Sequence, residues 1–236
     1  MMIKNSARVL LDKVLLRFGC HIMPSSTHMI SDRLTGLPKP KVIVDVGVGR
    51  GTPELYDAFS DQQLVLLEPL REYEPVLSKI CTTRQNCSYL ITAVGADNTV
   101  REINVEPEDW QLSSLVARSA LTSTSGYAQP RQVRVATLDT IVSNLSLSGP
   151  FGLKIDTEGY ELPVIMGATE FLRNTLFVIA EVSIMRRFEN SYTLEEFVAS
   201  MYERGFRVFD VLNIFQPETS GTRYLDLVFL RHDCMP

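Results

Sequence analysis

The segment Lys41 to Pro53, KVIVDVGVGRGTP, restricts the fold more than any other stretch of the chain. Four apolar residues surround Asp45, Gly47, Gly49 and Gly51 follow at alternate positions, and a Thr-Pro pair opens what reads as a helix. A strand that runs into a glycine turn and then a helix begins a βα unit, and such units build parallel sheets covered on both faces. Pro53 suits the first helical position, where its missing N–H costs nothing, and Thr52 is placed to cap it. Glycines let the chain turn tightly and let a ligand approach bare backbone. In an open α/β sheet this turn lies beside the crevice where ligands collect.

The same alternation continues along the chain. Strands are expected at Val42–Val46, Leu64–Leu67, Ser88–Val94, Phe151–Ile155, Leu176–Val182, Phe206–Phe215 and Tyr224–Leu230. Helices are expected at Pro53–Phe59, Glu72–Cys81, Leu138–Asn144, Glu161–Phe171 and Leu194–Arg204. Two further β-prone pieces, Val100–Val105 and Gln132–Val135, flank a polar loop from Glu106 to Arg131 that carries Trp110, Ser113, Ser114 and Tyr127. A long irregular loop in a compact domain points to function. No helical pattern separates the last two strands, and QPETSGT between them reads as a hairpin loop. The expectation is an α/β fold whose seven-stranded, mostly parallel sheet ends in an antiparallel hairpin. Residues 1–40 read as an N-terminal helix with a connecting loop over Gly19–Pro40, and residues 41–236 as one domain. At 236 residues and 45% hydrophobic, the chain fills one such core.

Charge and cysteine usage exclude several classes. Lys plus Arg number 23 against 28 Asp plus Glu, and a net charge of −5 lacks the basic footprint of a nucleic-acid binder. Cys20, Cys81, Cys87 and Cys234 form no CxxC pair, and with three histidines a zinc centre has little to draw on. Reduced thiols and a cytoplasmic location are expected. No run reaches the roughly 18 apolar residues of a membrane span. In the N-terminal stretch Asp12, Lys13 and Arg17 interrupt any signal-peptide core, so the predicted helix is expected to pack across the domain edge. Lys4, Arg8, Lys13 and Arg17 leave peripheral membrane association through this helix as the second reading.

The glycines read GxGxG, and Thr52 occupies the third position of the dinucleotide fingerprint GxGxxG. That weakens a nicotinamide or flavin cofactor. Asp45 fits the cationic methionine end of S-adenosylmethionine, whereas a pyrophosphate gains nothing from it. Glu68 in LVLLEP stands 21 positions after Gly47, at the mouth of the same crevice, where a carboxylate can accept both ribose hydroxyls. This suits NAD and S-adenosylmethionine equally. Pro69 follows directly, and the small residues of Thr92-Ala93-Val94-Gly95 end the third strand where an adenine ring commonly packs.

The second dense motif is FGLKIDTEGYE, residues 151–161. Asp156, Glu158 and Glu161 crowd one strand end and repel unless a cation answers them: Lys154, a sulfonium, a metal ion or a basic substrate. Asp156 or Glu158 is expected to orient an acceptor and serve as general base, with Glu181 in VIAEVS on the same rim. The structural alternatives are a Lys154–Asp156 pair, Glu161 at a helix N-terminus, and Glu181 paired with an arginine such as Arg186. His21, His28 and His232 lie outside the core strands, and neither a GxSxG elbow nor a GxxxxGK[ST] loop occurs. A divalent ion on Asp156 and Glu158 would require more donors than the sequence identifies, so no metal ligand is assigned. Asp139 in ATLDT reads as a helix cap.

Taken together, these residues resemble the FkbM-type methyltransferases. The likeness runs through VIVDVGVGRG, LLEP, Ala93-Val94-Gly95, Ser113-Ser114-Leu115, VRVATLD, LKIDTEGYE with Gly167-Ala168, and Ile179-Ala180-Glu181, over roughly residues 41–185. The resemblance implies a class I Rossmann-like methyltransferase that moves a methyl group from S-adenosylmethionine, usually to oxygen on a sugar or natural product. A small-molecule acceptor, such as a glycan or glycosylated metabolite, follows from it. It carries cofactor contacts onto Asp45, Gly47, Gly51, Glu68 and Val94, with Ser114 and Asp156 closing the pocket. Gly49 departs from the family, which often has Asn there. The rival readings are an NAD-dependent oxidoreductase and a catalytically silent module that binds the cofactor.

Overall fold

The computed structural model describes residues 26–119, 129–185, 187–217 and 221–235. In chain order the regular elements are α1 (Ser26–Thr35), β1 (Val42–Val46), α2 (Pro53–Ala58), β2 (Gln63–Glu68), α3 (Glu74–Thr82), β3 (Cys87–Ile91), β4 (Ala93–Val94) and β5 (Thr99–Val105). They continue with β6 (Gln129–Ala136), α4 (Leu138–Asn144), β7 (Phe151–Ile155), α5 (Glu161–Met166), α6 (Thr169–Arg173), β8 (Thr175–Ser183), α7 (Leu194–Glu203), β9 (Phe206–Phe215) and β10 (Tyr224–Arg231). Seven strands form the main sheet in the order β3-β2-β1-β7-β8-β10-β9. Its first five strands are parallel, and β10 runs antiparallel to both neighbours, as the missing crossover helix predicted.

Alternation in β1 divides the core. Val42, Val44 and Val46 pack with Leu153 and Phe171 on one face, while Ile43 packs with Leu66, Leu55 and Phe59 on the other. Every β1 residue is buried, including Asp45 on the Ile43 side. A parallel strand covered on both faces is apolar throughout, so its single carboxylate marks a special position. Fully burying a Phe or Leu here contributes about 1.5–3 kcal/mol.

Several elements depart from the sequence expectation. Residues 26–35, expected within a loop, form α1: Leu34 and the following Leu37 are buried against α2, and Arg33 ties the helix to Asp210 of β9 at 2.7 Å. Ser26 opens this helix. The predicted N-terminal helix lies outside the described residues. The third predicted strand divides at Thr92: β3 stays in the main sheet, and β4 leaves it to pair with β6 in a second, three-stranded sheet. A small core of Leu70, Tyr73, Ile103 and Val135 justifies that excursion. The predicted helix Glu161–Phe171 is broken at Gly167-Ala168 into α5 and α6. Asp139 is a cap, but of α6, accepting from Phe171 N at 2.7 Å, while Thr137 caps its own helix α4. Thr52 does not cap α2; its hydroxyl donates to Asp45 instead. Pro53 does open the helix.

The expectation of reduced thiols is also corrected, since Cys81 at the end of α3 is joined to Cys87 at the start of β3. The helix reverses directly into the strand and brings together two cysteines that no CxxC spacing advertised. Among the described residues, no helix is long and apolar enough to cross a membrane.

Gly167 sits with its Cα face against the chain after β4, where an added Cβ would lie 2.0 Å from the Gly95 carbonyl oxygen. Neither backbone can rotate aside, so Gly167→Ala is expected to cost about 2–3 kcal/mol. Gly36→Ala, whose nearest neighbour would stand at an ordinary 3.4 Å, is expected to change stability by less than about 0.5 kcal/mol. Scanning calorimetry giving the two variants equal midpoints would contradict this packing.

Candidate active site

A cleft of about 530 Å³ opens at the carboxyl ends of β1, β2, β7 and β8. This is where an open α/β sheet places its ligands, and the volume suits a nucleoside-sized molecule. Its floor is the glycine turn after β1. Gly47, Gly49 and Gly51 have φ of +76°, +52° and +93°, the left-handed region that glycine enters without cost. At Gly47 there is no alternative residue, because a Cβ would lie 1.7 Å from the Asp156 carbonyl oxygen. The ends of β1 and β7 therefore meet backbone to backbone, and Asp156 N donates to Val46 O at 2.9 Å.

Lys154 joins the same point. Its Nζ stands 3.4 Å from Asp45 Oδ1, 3.4 Å from Asp156 Oδ2 and 3.3 Å from the Gly47 carbonyl. Burial disfavours its ammonium, but the two carboxylates outweigh burial and hold the pKa above the usual lysine value. Asp45 has no exposed surface and lies beneath the turn, accepting from Tyr56 Oη at 2.5 Å and from Thr52. Burial pushes its pKa up, and Lys154 opposes that rise. Asp45 thus acts on the cleft through Lys154 and the turn above it.

Glu68 closes the second strand at the cleft mouth. Gly49 N donates to its Oε2 and Leu70 N to its Oε1, both at 3.0 Å. The carboxylate is fixed by two amides, and each oxygen keeps a lone pair for a further donor. Burial raises its pKa against the pull of those amides. Pro69, Ala93 and Val94 line the adjoining wall with Tyr73 and Trp110, whose rings meet edge to face at 5.9 Å. Trp110 opens a short helical turn, Trp110–Leu112, which places Gln111 over Gly49. Ser114 pins this segment to the opposite wall: its hydroxyl donates to the Glu158 carbonyl at 2.6 Å and accepts from Val116 N at 3.0 Å.

The opposite wall is the acidic turn after β7. Asp156, Glu158 and Glu181 converge, with carboxylate oxygens within 4.8 Å of one another. Glu161 does not join them; it is buried under the turn and accepts from Thr157 N at 2.8 Å, Gly159 N at 3.1 Å and the Tyr192 hydroxyl. Glu158 has φ +53°, a conformation that costs a non-glycine residue of order 1 kcal/mol and is retained where surroundings enforce it. Those surroundings are Arg118 at 3.0 Å and Arg187 at 2.6 Å, both on Glu158 Oε2. Arg187 also binds Glu181, which gives that carboxylate the arginine partner considered from sequence, one residue along from Arg186. The donor set reaches far enough for a divalent ion, yet two of its three carboxylates already have guanidinium partners.

Arg118, Arg187, Tyr224 and Asp226 were missed by sequence reasoning. Asp226 had a visible signal, a lone charge inside the apolar run YLDLVFL, whereas Arg118 lies in a loop without periodicity. Both Tyr224 and Asp226 line the cleft from β10, and so does Ile30 from α1.

Burial pushes the Glu158 carboxyl up to about 7 despite its arginines, and burial with the charges of Asp156 and Glu158 raises Glu181 well above the ordinary range. Glu158 therefore holds a proton in the fold at pH values where the unfolded chain, at 4.5, has released it. The folded state binds more protons in that window, so the contribution is full below about pH 4.5 and is lost as pH rises through about 7. Arg187→Met removes the cation that both carboxylates share, with an expected cost of about 3–5 kcal/mol and a steeper loss between about pH 5 and 8. Urea unfolding at three pH values checks this, and a variant slope equal to that of the native chain would refute it.

Residues 45–208 match the methyltransferase FkbM domain. No curated protein matches the chain. The solved methyltransferase FkbM from Methylobacillus flagellatus KT superposes with a TM-score of 0.50 at 14% identity, over 80% of this chain and 43% of that one. This chain therefore spans less than half of that relative's length. A ribosomal protein L11 methylase from Lactobacillus delbrueckii subsp. bulgaricus aligns over 90% of this chain and 82% of its own, at 11% identity and a TM-score of 0.46. The family match extends from the carboxylate beneath the glycine turn into β9, spanning both walls of the cleft, and the chain belongs to the FkbM methyltransferase family.

Proposed function

We propose that this chain is an S-adenosylmethionine-dependent methyltransferase acting on a hydroxyl of a small-molecule acceptor, such as a glycan or glycosylated metabolite. The observation that carries the reading is the Glu68 carboxylate, fixed by the Gly49 and Leu70 amides across the cleft from the acidic turn. Glu68 accepts the ribose hydroxyls, Pro69, Ala93 and Val94 flank the adenine, and the bare backbone of Gly47 to Gly51 borders the methionine portion. Asp45 supports that turn through Lys154, and Ser114 holds the covering segment in place. S-adenosylmethionine supplies a methyl carbon already activated by its sulfonium, so in-line positioning accounts for much of the rate. Asp156, Glu158 and Glu181 form the wall that receives and orients the acceptor. The same wall disfavours a dinucleotide, whose pyrophosphate would face carboxylates instead of a third glycine.

Trp110 is the sole tryptophan of the chain and lies in the cleft wall, so its emission reports binding directly. Titration with S-adenosylhomocysteine is expected to change that emission saturably, and NADH is expected not to compete. Glu68→Ala is expected to weaken binding by about 1–3 kcal/mol, the range for hydrogen bonds to a charged group. Calorimetry without S-adenosylhomocysteine binding would overturn the reading. Binding without methyl transfer to any of a broad acceptor panel would favour a silent module.

A further inference from the structure

Four carboxylates face the inner end of the cleft, and their surroundings differ. Glu158 and Glu181 are bound by Arg187, and Glu158 also by Arg118. Asp156 stands 3.4 Å from the Lys154 ammonium. Asp226, on β10, pairs in register with Glu181 on β8 and lines the same cleft. Among the described residues no ion pair involves it. Its register partner on β9 is the neutral Asn213.

We propose that Asp226 faces the transferred methyl group and takes up the proton that the acceptor hydroxyl releases. The inference rests on the methyltransferase reading above. As the acceptor oxygen bonds to the methyl carbon, the carbon–sulfur bond breaks and its electron pair stays on sulfur, which becomes a neutral thioether. The hydroxyl proton passes to the Asp226 carboxylate and then to water. Guanidinium groups already occupy oxygens of Glu158 and Glu181, whereas among the described residues no ion pair holds those of Asp226, which leaves them open to the acceptor hydroxyl.

The electrostatic environment supports this geometry. Burial and the nearby charge of Asp156 push the Asp226 carboxyl up to about 6, with Asn213 and Lys154 opposing them. A base poised near the working pH is the most effective kind. The charged and titratable groups around it are Lys154 and Asp156 from β7 and its turn, Glu181 from β8, Arg187 and Glu158 beside it, and Tyr224 on its own strand. On the α1 side the cation is Arg33, which is bound to Asp210.

Sinefungin tests the placement without an acceptor, because it carries an ammonium where the donor carries its sulfonium methyl. Calorimetry would compare sinefungin with S-adenosylhomocysteine across about pH 5 to 8 in the native chain and in Asp226→Asn. The native preference for sinefungin is expected to grow roughly tenfold as Asp226 ionises, the equivalent of one pKa unit. Asp226→Asn is expected to remove the rise near pH 6 from that profile and to leave S-adenosylhomocysteine affinity within about twofold, the equivalent of about 0.4 kcal/mol. If Asp226→Asn fails to fold, Asp226→Ser and the native profile serve the same purpose. A flat native profile, or a rise near pH 6 that is unchanged in the variant, would overturn the proposal. Failure of both ligands to bind would instead remove the methyltransferase reading, and the proposal with it.

Discussion

The buried Lys154 ammonium is the interaction on which the site depends. It stands between Asp45 at the end of β1 and Asp156 beyond the end of β7, and it also reaches the Gly47 carbonyl. Removing a charge from water costs several kcal/mol unless partners answer it, so each member of this trio requires the other two. Its geometry follows from sheet register, in which Asp45 lies directly beside Lys154. A slip of one residue would send Lys154 to the opposite face and leave Asp45 buried without a cation. The glycine turn is locked at the same place, where Gly47 admits no side chain against Asp156. One charged contact and one steric contact thus fix both walls of the cleft relative to each other.

The acidic turn is held from its other side by residues that come late or far in the chain. Ser114 grips the Glu158 carbonyl, Arg118 and Arg187 grip its carboxylate, and Glu161 fastens the turn from beneath through Thr157 and Gly159. These bonds offset the left-handed conformation of Glu158. They also give different work to carboxylates that the motif presents as equals. Glu161 fastens the turn from beneath, Glu158 and Glu181 bind Arg187 while lining the cleft, and Asp156 and Asp226 line it without an arginine partner.

The legible parts of this structure are those written within a single βα unit. The glycine turn, Glu68 at the end of β2 and the FGLKIDTEGYE strand each place a side chain by local spacing, and the mostly parallel sheet with its antiparallel terminal hairpin follows from the alternation of elements. What escaped depended on contacts between distant segments. Residues 26–35 are helical because Leu34 finds the α2 face and Arg33 finds Asp210, neither of which a local pattern announces. The third strand divides at Thr92 because a second sheet competes for its end. Cys81 and Cys87 meet because a helix reverses into a strand, Arg118 reaches Glu158 from a loop, and Asp226 lines the cleft from the last strand. Asp45 was visible as an anomaly in an apolar strand, but its direction, under the turn toward Tyr56 and Lys154, required the packed sheet.

Charge balance links the architecture to its proposed use. The inner wall carries Asp156, Glu158, Glu181 and Asp226 against Arg118 and Arg187, while Lys154 is shared with Asp45. The excess is negative and lies in a partly desolvated cleft, where interactions between charges are several-fold stronger than in water. A cationic sulfonium entering this cleft relieves repulsion among the carboxylates. In the proposed reaction, loss of the methyl group would leave a neutral thioether and the released proton would neutralise one carboxylate. The electrostatic hold on the cofactor would then weaken at the step when product must depart. The acidity of the wall therefore favours the donor over its own product, provided that one carboxylate remains able to take the proton. Arginines hold oxygens of Glu158 and Glu181, which leaves Asp156 and Asp226 as the two carboxylates of the wall without a guanidinium partner.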